Sequence, residues 1–114
     1  MSNFVALIVE DDVLQRECLA DLLKSEGLEV VECANGEVTE LVLASTGPEV
    51  RALVTDIELG GEMSGVQLAQ YAKHRFPDLI VVMVSGQGPP YVPHGTHFLQ
   101  KPYPPQQLLN AVLR

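Results

Sequence analysis

Apolar positions along the chain fall into two rhythms, and the change of rhythm marks where one element gives way to the next. Apolar runs at Phe4 to Val9, Leu28 to Cys33, Ala52-Leu53-Val54 and Leu79 to Val84 have the length and β-branched content of strands. Those without polar interruption predict strands covered on both faces of a parallel sheet. Leu79 to Val84 is the most apolar of them and is expected to be central. Leu28 to Cys33 is interrupted by Glu29 and Glu32, which places it nearer a sheet edge.

Between the strands the period becomes helical. Leu14, Cys18 and Leu22, with Leu19 and Leu23, predict a helix capped by Asp12, with Gln15 three residues on as in a capping box. Gly27 stands at its C′ position. Val38, Leu41, Val42 and Ser45 predict the inner face of a second helix, opened by Asn35-Gly36 and stopped by Gly47-Pro48. A third strand from about Arg51 to Thr55 delivers Asp56. The loop from Ile57 to Met63 then leads to a helix capped by Ser64, with Leu68, Ala69, Ala72 and Phe76 inward and Pro77 at its end.

From Gly86 to Thr96 both rhythms fail, because Gly86, Gly88, Pro89, Pro90, Pro93 and Gly95 crowd the stretch. A proline inside a helix costs ~3 kcal/mol or more, so a loop or one short turn is predicted where a fourth helix would fall. His97 to Gln100 reads as a short fifth strand, and Pro104-Pro105 opens a last helix with Leu108, Leu109 and Val112 toward the sheet. The succession predicts a doubly wound, five-stranded parallel α/β fold with right-handed crossovers, in a single domain over residues 1–114.

Composition narrows the function classes. With 114 residues, 46% apolar and 19% charged, the chain can bury a real core. A formal net charge of −8 argues against nucleic acid or an anionic membrane as direct partners. No leader segment or membrane-length apolar stretch is recognisable, and Cys18 and Cys33 sit at apolar positions as reduced core residues, so a cytoplasmic protein is expected. His74, His94 and His97 show no metal spacing; the first two are expected at the surface and His97 partly buried. Tyr71 and Tyr91 read as surface or edge aromatics, Tyr103 as packing, and Met63 and Met83 as core.

The candidate chemistry lies at the strand ends. Asp56, followed by Gly60-Gly61, would alone be read as a turn residue. Ligands of open α/β sheets, however, bind outside the carboxyl ends of the strands. There the first strand stops at Glu10-Asp11-Asp12, the fourth at Ser85 and the fifth at Lys101. Each has a plain reading: Asp12 as a helix cap, Glu10 or Asp11 as solvated charge, Ser85 in a turn, Lys101 as a surface lysine. Together they form a set. Clustered carboxylates repel unless a cation compensates them, and oxygen donors without His or Cys favour a hard ion, Mg²⁺ above all. Mg²⁺ commonly bridges a carboxylate to a phosphoryl oxygen, whose neighbours a lysine and a hydroxyl can hold. Phosphoryl transfer needs mainly positioning and charge neutralisation, so this set suffices for an aspartyl-phosphate.

On these residues the sequence resembles, over its whole length, the receiver domain of two-component response regulators. The matching pieces are Leu7-Ile8-Val9-Glu10-Asp11-Asp12, Val54-Thr55-Asp56-Ile57, Met63-Ser64-Gly65, Val84-Ser85-Gly86 and Lys101-Pro102-Tyr103. The resemblance implies a flavodoxin-like strand order 2-1-3-4-5 and a phosphorelay function with Asp56 as phosphoacceptor. It implies Mg²⁺ on Asp11 and Asp56, with the Glu58 backbone carbonyl, and on Glu10 mostly through water. Ser85 would turn inward on phosphorylation, Lys101 would pair with the phosphoryl group, and Phe98 would be the aromatic switch residue. A cis Lys101–Pro102 peptide is implied, as is a phosphoryl lifetime tuned at Glu58 and Gln87. The donor would be a sensor histidine kinase or a histidine phosphotransfer protein, with an output partner the sequence does not name. Such a switch modifies itself and is not an enzyme with an external substrate.

Three features depart from that pattern. Gly60-Gly61-Glu62 replaces the usual proline-bearing loop after the acceptor and is one residue longer. The Gly86 to Thr96 link is too short and proline-rich for the fourth helix, which puts the usual dimer face in doubt. No DNA-binding or enzymatic output segment is expected after the last helix. Two other functions fit the fold: a phosphorylation-independent scaffold, which the set of Asp11, Asp56, Ser85 and Lys101 disfavours, and an aspartyl-phosphate phosphohydrolase. The second would use Glu58 as its second acid but lacks a cap domain.

Overall fold

The computed structural model describes residues 5–46, 49–88 and 91–113. Among them the elements follow the order β1 (Val5–Val9), α1 (Val13–Ser25), β2 (Glu29–Cys33), α2 (Gly36–Thr46), β3 (Val50–Asp56), α3 (Gly65–Arg75), β4 (Ile80–Ser85), β5 (His97–Gln100) and α4 (Pro105–Val112). Every strand pair is parallel, in the order β2-β1-β3-β4-β5. The expected flavodoxin-like architecture is therefore present, with β2 at an edge. The middle position belongs to β3 rather than β4. Strand β4 is the more apolar of the two but is flanked on one side by the short β5, whose edge position also leaves His97 exposed.

Register is what assembles the site. Val9 stands opposite both Cys33 and Thr55, Asp56 opposite Val84, and Ser85 opposite Gln100. The strands thus finish nearly level, and Glu10, Asp56, Ser85 and Lys101 emerge side by side.

Each face of the sheet carries its own core. Leu7, Val9, Leu53, Val81 and Met83 pack with α2 and α3; Ala6, Ile8, Val54, Val82 and Val84 pack with α1 and α4. This alternation within each strand explains the unbroken apolar runs, because both sides are covered.

Two helix faces differ from those the sequence predicts. In α2, Val38 and Leu41 are exposed, Leu41 by 71%, while Gly36, Thr39 and Leu43 are buried. A Cβ at Gly36 would stand 3.0 Å from the Met63 sulfur, so the helix makes its close approach at Gly36 and buries the face that Gly36 shares with Thr39 and Leu43. Thr39 tolerates burial because its hydroxyl donates to the Asn35 carbonyl at 2.8 Å. In α1, Leu14 is 73% exposed and Cys18 is exposed, while Ala20 and Leu23 are buried and Leu19 and Leu22 half-buried against the same core. Cys18 is therefore not a core residue; Cys33 is. Met63 and Tyr71 pack half-buried on the core, and His74, His94 and Tyr91 are exposed.

The Asp12 cap of α1 forms, accepting from the Gln15 amide at 2.9 Å, but the reciprocal half of the box does not. The Asp12 amide donates instead to the Glu10 carboxylate at 3.1 Å, and the Gln15 side chain accepts from Lys101. A full capping box occurs at α3, between Ser64 and Gln67. Ser64→Ala is expected to destabilise the fold by about 1 kcal/mol, read as a lower denaturant midpoint at unchanged slope.

Gly27 takes φ +84 just past the C-terminus of α1, as its place after the helix requires. Between β4 and β5 the described residues form no helix, as the proline content predicts. Phe4, Gly47, Pro48, Pro89, Pro90 and Arg114 lie outside the described residues.

Candidate functional site

Asp56 ends β3 almost fully buried, with both carboxylate oxygens anchored. One accepts from the Lys101 ammonium at 3.0 Å and the other from the Glu58 amide at 3.1 Å. The next residue, Ile57, is held by α3 and β4: the Gly65 amide donates to its carbonyl at 2.9 Å, and its own amide donates to the Val84 carbonyl at 3.0 Å. Asp56 is thus anchored beside a pinned backbone and oriented at the side chain.

Lys101 sits at the charge centre, its side chain 27% exposed. Its ammonium meets Asp56 at 3.0 Å, the Gln15 side-chain oxygen at 2.7 Å and Glu10 at 3.6 Å. Burial by itself would lower its pKa. The hydrogen bond and charge of Asp56, with the charge of Glu10, outweigh that effect and hold it above the ordinary lysine value. Lys101 is followed by a cis peptide to Pro102, as the resemblance implies.

Glu10 is 1% exposed, and one of its carboxylate oxygens has no hydrogen-bond partner. Burial first, and then its closeness to Asp56, push its pKa up to about 7 against the opposing pull of the Asp12 amide and Lys101. One lysine does not neutralise this edge.

Among the described residues no three His, Cys, Asp or Glu side chains are arranged as a ready-made metal cage. Asp11 is exposed and accepts from the Gly60 amide at 3.2 Å, while Lys101 stands against Glu10 and Asp56. The donors nevertheless fit a hard cation. They are oxygens only, and the unpartnered Glu10 oxygen is the group such an ion would satisfy.

Ser85, ending β4 and buried, donates to both oxygens of the exposed Glu58 carboxylate at 2.8 and 2.9 Å and accepts from the Gln87 amide at 3.1 Å. Phe98 on β5 is half-buried against the α2 and α3 core, and Tyr103 is half-buried on the opposite face, its hydroxyl pKa raised by burial.

Three participants escape a reading of the strand ends alone. Gln15 holds Lys101, although its spacing from Asp12 suggests only a cap. Glu37, in the first turn of α2, accepts from the Glu62 amide at 3.2 Å and so clips the glycine-rich loop. Gly65 is the third; its place in Met63-Ser64-Gly65 was visible, its steric role was not.

Residues 6–113 match the response regulator receiver domain. The chain is 34% identical over 118 aligned residues to nodulation protein W of Bradyrhizobium diazoefficiens, covering 96% of this chain and 49% of that protein. It is 35% identical over 109 residues to a response regulator receiver protein of an Anaeromyxobacter species, covering 93% of this chain and 43% of that one. The chain thus spans about half, or less, of these curated relatives. Among solved structures, a response regulator receiver protein from Sinorhizobium medicae superposes with a TM-score of 0.88 at 26% identity, covering 97% of this chain and 92% of that one. The receiver domain of the hybrid histidine kinase CckA follows at 0.82 and 28%, covering 96% and 95%.

Proposed function

The chain belongs to the response regulator receiver family of two-component systems, and from that premise we propose that its carboxyl edge is a Mg²⁺-dependent phosphoryl switch with Asp56 as acceptor. The observation that carries this reading is the oriented Asp56 carboxylate, 3.0 Å from Lys101, beside a buried Glu10 oxygen that makes no hydrogen bond.

In the proposed reaction an Asp56 oxygen attacks the phosphorus of a phosphohistidine. The oxygen–phosphorus bond forms as the nitrogen–phosphorus bond breaks, and the freed imidazole takes a proton from solvent. Lys101, whose ammonium lies 3.0 Å from the Asp56 carboxylate, would pair with the transferred group. Ser85 would supply a hydroxyl to a second phosphoryl oxygen, and Phe98 would follow it as the aromatic switch. Glu10, Asp11, Asp56 and the Glu58 carbonyl are the groups proposed to hold Mg²⁺. When bound, the ion would neutralise the carboxylates and the developing charge on the phosphoryl oxygens.

The phosphoryl donor is proposed to be a sensor histidine kinase or a histidine phosphotransfer protein, and the output a change in affinity for a further protein. No helix among the described residues is long and apolar enough to cross a membrane. The chain modifies itself, and we propose no external substrate for it.

Acetyl phosphate supplies the test. With Mg²⁺ present, the protein is expected to gain the mass of one phosphoryl group at Asp56, with acetate leaving. The gain should vanish with a chelator and in Asp56→Asn. No gain in the wild type, or an equal gain in Asp56→Asn, would sink the proposal.

A further inference from the structure

We propose that Glu58 is a positioning residue that latches Ser85 away from Asp56, so that its carboxylate and the phosphoryl group compete for one hydroxyl. The inference rests on Asp56 being the phosphoacceptor and adds a means of control at that site.

The Ser85 hydroxyl has one proton, and Glu58 holds it through both carboxylate oxygens, at 2.8 and 2.9 Å. Its acceptor side takes the Gln87 amide at 3.1 Å. With its one proton committed to Glu58, the hydroxyl cannot donate to a third group. To donate to a phosphoryl oxygen on Asp56, Ser85 must first leave Glu58.

The backbone leaves little else to move. The Ile57 amide is bonded to the Val84 carbonyl at 3.0 Å, the Lys101 amide to the Ser85 carbonyl at 2.8 Å, and the Glu58 amide to Asp56 at 3.1 Å. These bonds pin both residues, so the exchange reduces to rotation about the Ser85 side-chain bond. Serine, with a single heavy atom beyond Cβ, has three staggered positions open to it where a β-branched residue is more restricted.

The two ends of the latch differ in burial. Ser85 is 1% exposed, whereas Glu58 is exposed. On release the carboxylate therefore returns to water, which solvates it well, and the buried hydroxyl finds a new anionic acceptor. Phosphorylation also places negative charge near Glu58, which drives the carboxylate outward. The latch thus opens when the acceptor is charged and closes when it is not.

The test is a double-mutant cycle read by binding of beryllofluoride, a phosphoryl mimic, at saturating Mg²⁺. Mg²⁺ affinity is measured separately for each variant. Glu58→Ala is expected to raise beryllofluoride affinity roughly three- to tenfold, the scale of a charge-assisted hydrogen bond discounted for exposure. In a Ser85→Ala background the same substitution should change nothing. Glu58→Gln keeps an acceptor oxygen without the charge and should fall between. In the free protein, Glu58→Ala should also shift the Gln87 amide resonance, because its acceptor is released. An equal gain in both backgrounds would mean that Glu58 acts by charge alone and would overturn the latch. Wild-type protein that fails to bind the mimic would instead overturn the assignment of Asp56, and the latch with it.

Discussion

Gly65→Ala is expected to destabilise the fold by about 3 kcal/mol or more, among the larger penalties a single methyl can impose. A Cβ at Gly65 would overlap the Asp56 carbonyl oxygen, and would stand 2.6 Å from the Ile57 Cα and 2.8 Å from the Asp56 carbonyl carbon. These are backbone atoms, so no side chain can swing aside. The Gly65 amide is also bonded to the Ile57 carbonyl at 2.9 Å, which fixes the approach that a methyl group would forbid. Relief requires either the first turn of α3 or the end of β3 to move, and the second displaces Asp56. Gly61→Ala should be milder but still unfavourable: Gly61 has φ +103, and its Cβ would meet the Glu37 carboxylate at 2.9 Å. Gly88→Ala, where a Cβ meets nothing within 4 Å, should stay within about 0.5 kcal/mol of wild type. The chain contains no tryptophan, so far-ultraviolet circular dichroism in a denaturant series is the suitable probe. Equal midpoints for the variants at 65 and 88 would refute the steric argument.

Gly65 also shows where sequence reasoning reached and where it stopped. The strands were legible because a parallel strand covered on both faces has little choice of composition, whereas their order came from the family resemblance. The site was legible because Glu10, Asp56, Ser85 and Lys101 each terminate a strand, and level register converts that shared position into proximity. Helix faces were less legible. Residues 41–44 of α2 are continuously apolar, so periodicity could not choose between the Leu41 and Leu43 sides. The choice was made by the close approach at Gly36, a tertiary fact. Side-chain partners drawn from other elements were invisible for the same reason. Nothing about the spacing of Gln15 and Lys101, of Glu37 and Glu62, or of Glu58 and Ser85 announces that they meet. Cys18 lies on a strip that the apolar pattern marks as core and the packing leaves in solvent.

Glu10→Gln is expected to stabilise the metal-free protein at pH 8, by on the order of 1–3 kcal/mol, and to lose that advantage as the pH falls toward 4. The sign follows from proton counting. The pKa of Glu10 is pushed up to about 7 in the folded chain, from an ordinary value of 4.5. Between these values the folded state binds more protons than the unfolded state, so wild-type stability declines as pH rises through the interval. Above pH 7 the penalty is complete; below 4.5 it is absent. A gap from 4.5 to about 7, at about 1.4 kcal/mol for each pH unit, sets an upper scale of roughly 3 kcal/mol. Glutamine escapes the penalty at every pH. It retains an oxygen for the Asp12 amide, which Glu10 now accepts at 3.1 Å, and gives up only a 3.6 Å ion pair with Lys101 at an oxygen that makes no hydrogen bond. Millimolar Mg²⁺ should narrow or reverse the difference, because an ion that favours the ionised carboxylate stabilises the wild type more than the variant. Paired denaturant titrations at pH 4, 6 and 8, with chelator and with Mg²⁺, would check this. A difference independent of pH, or a less stable variant at pH 8 in chelator, would show that the buried carboxylate is not the strained group at this edge.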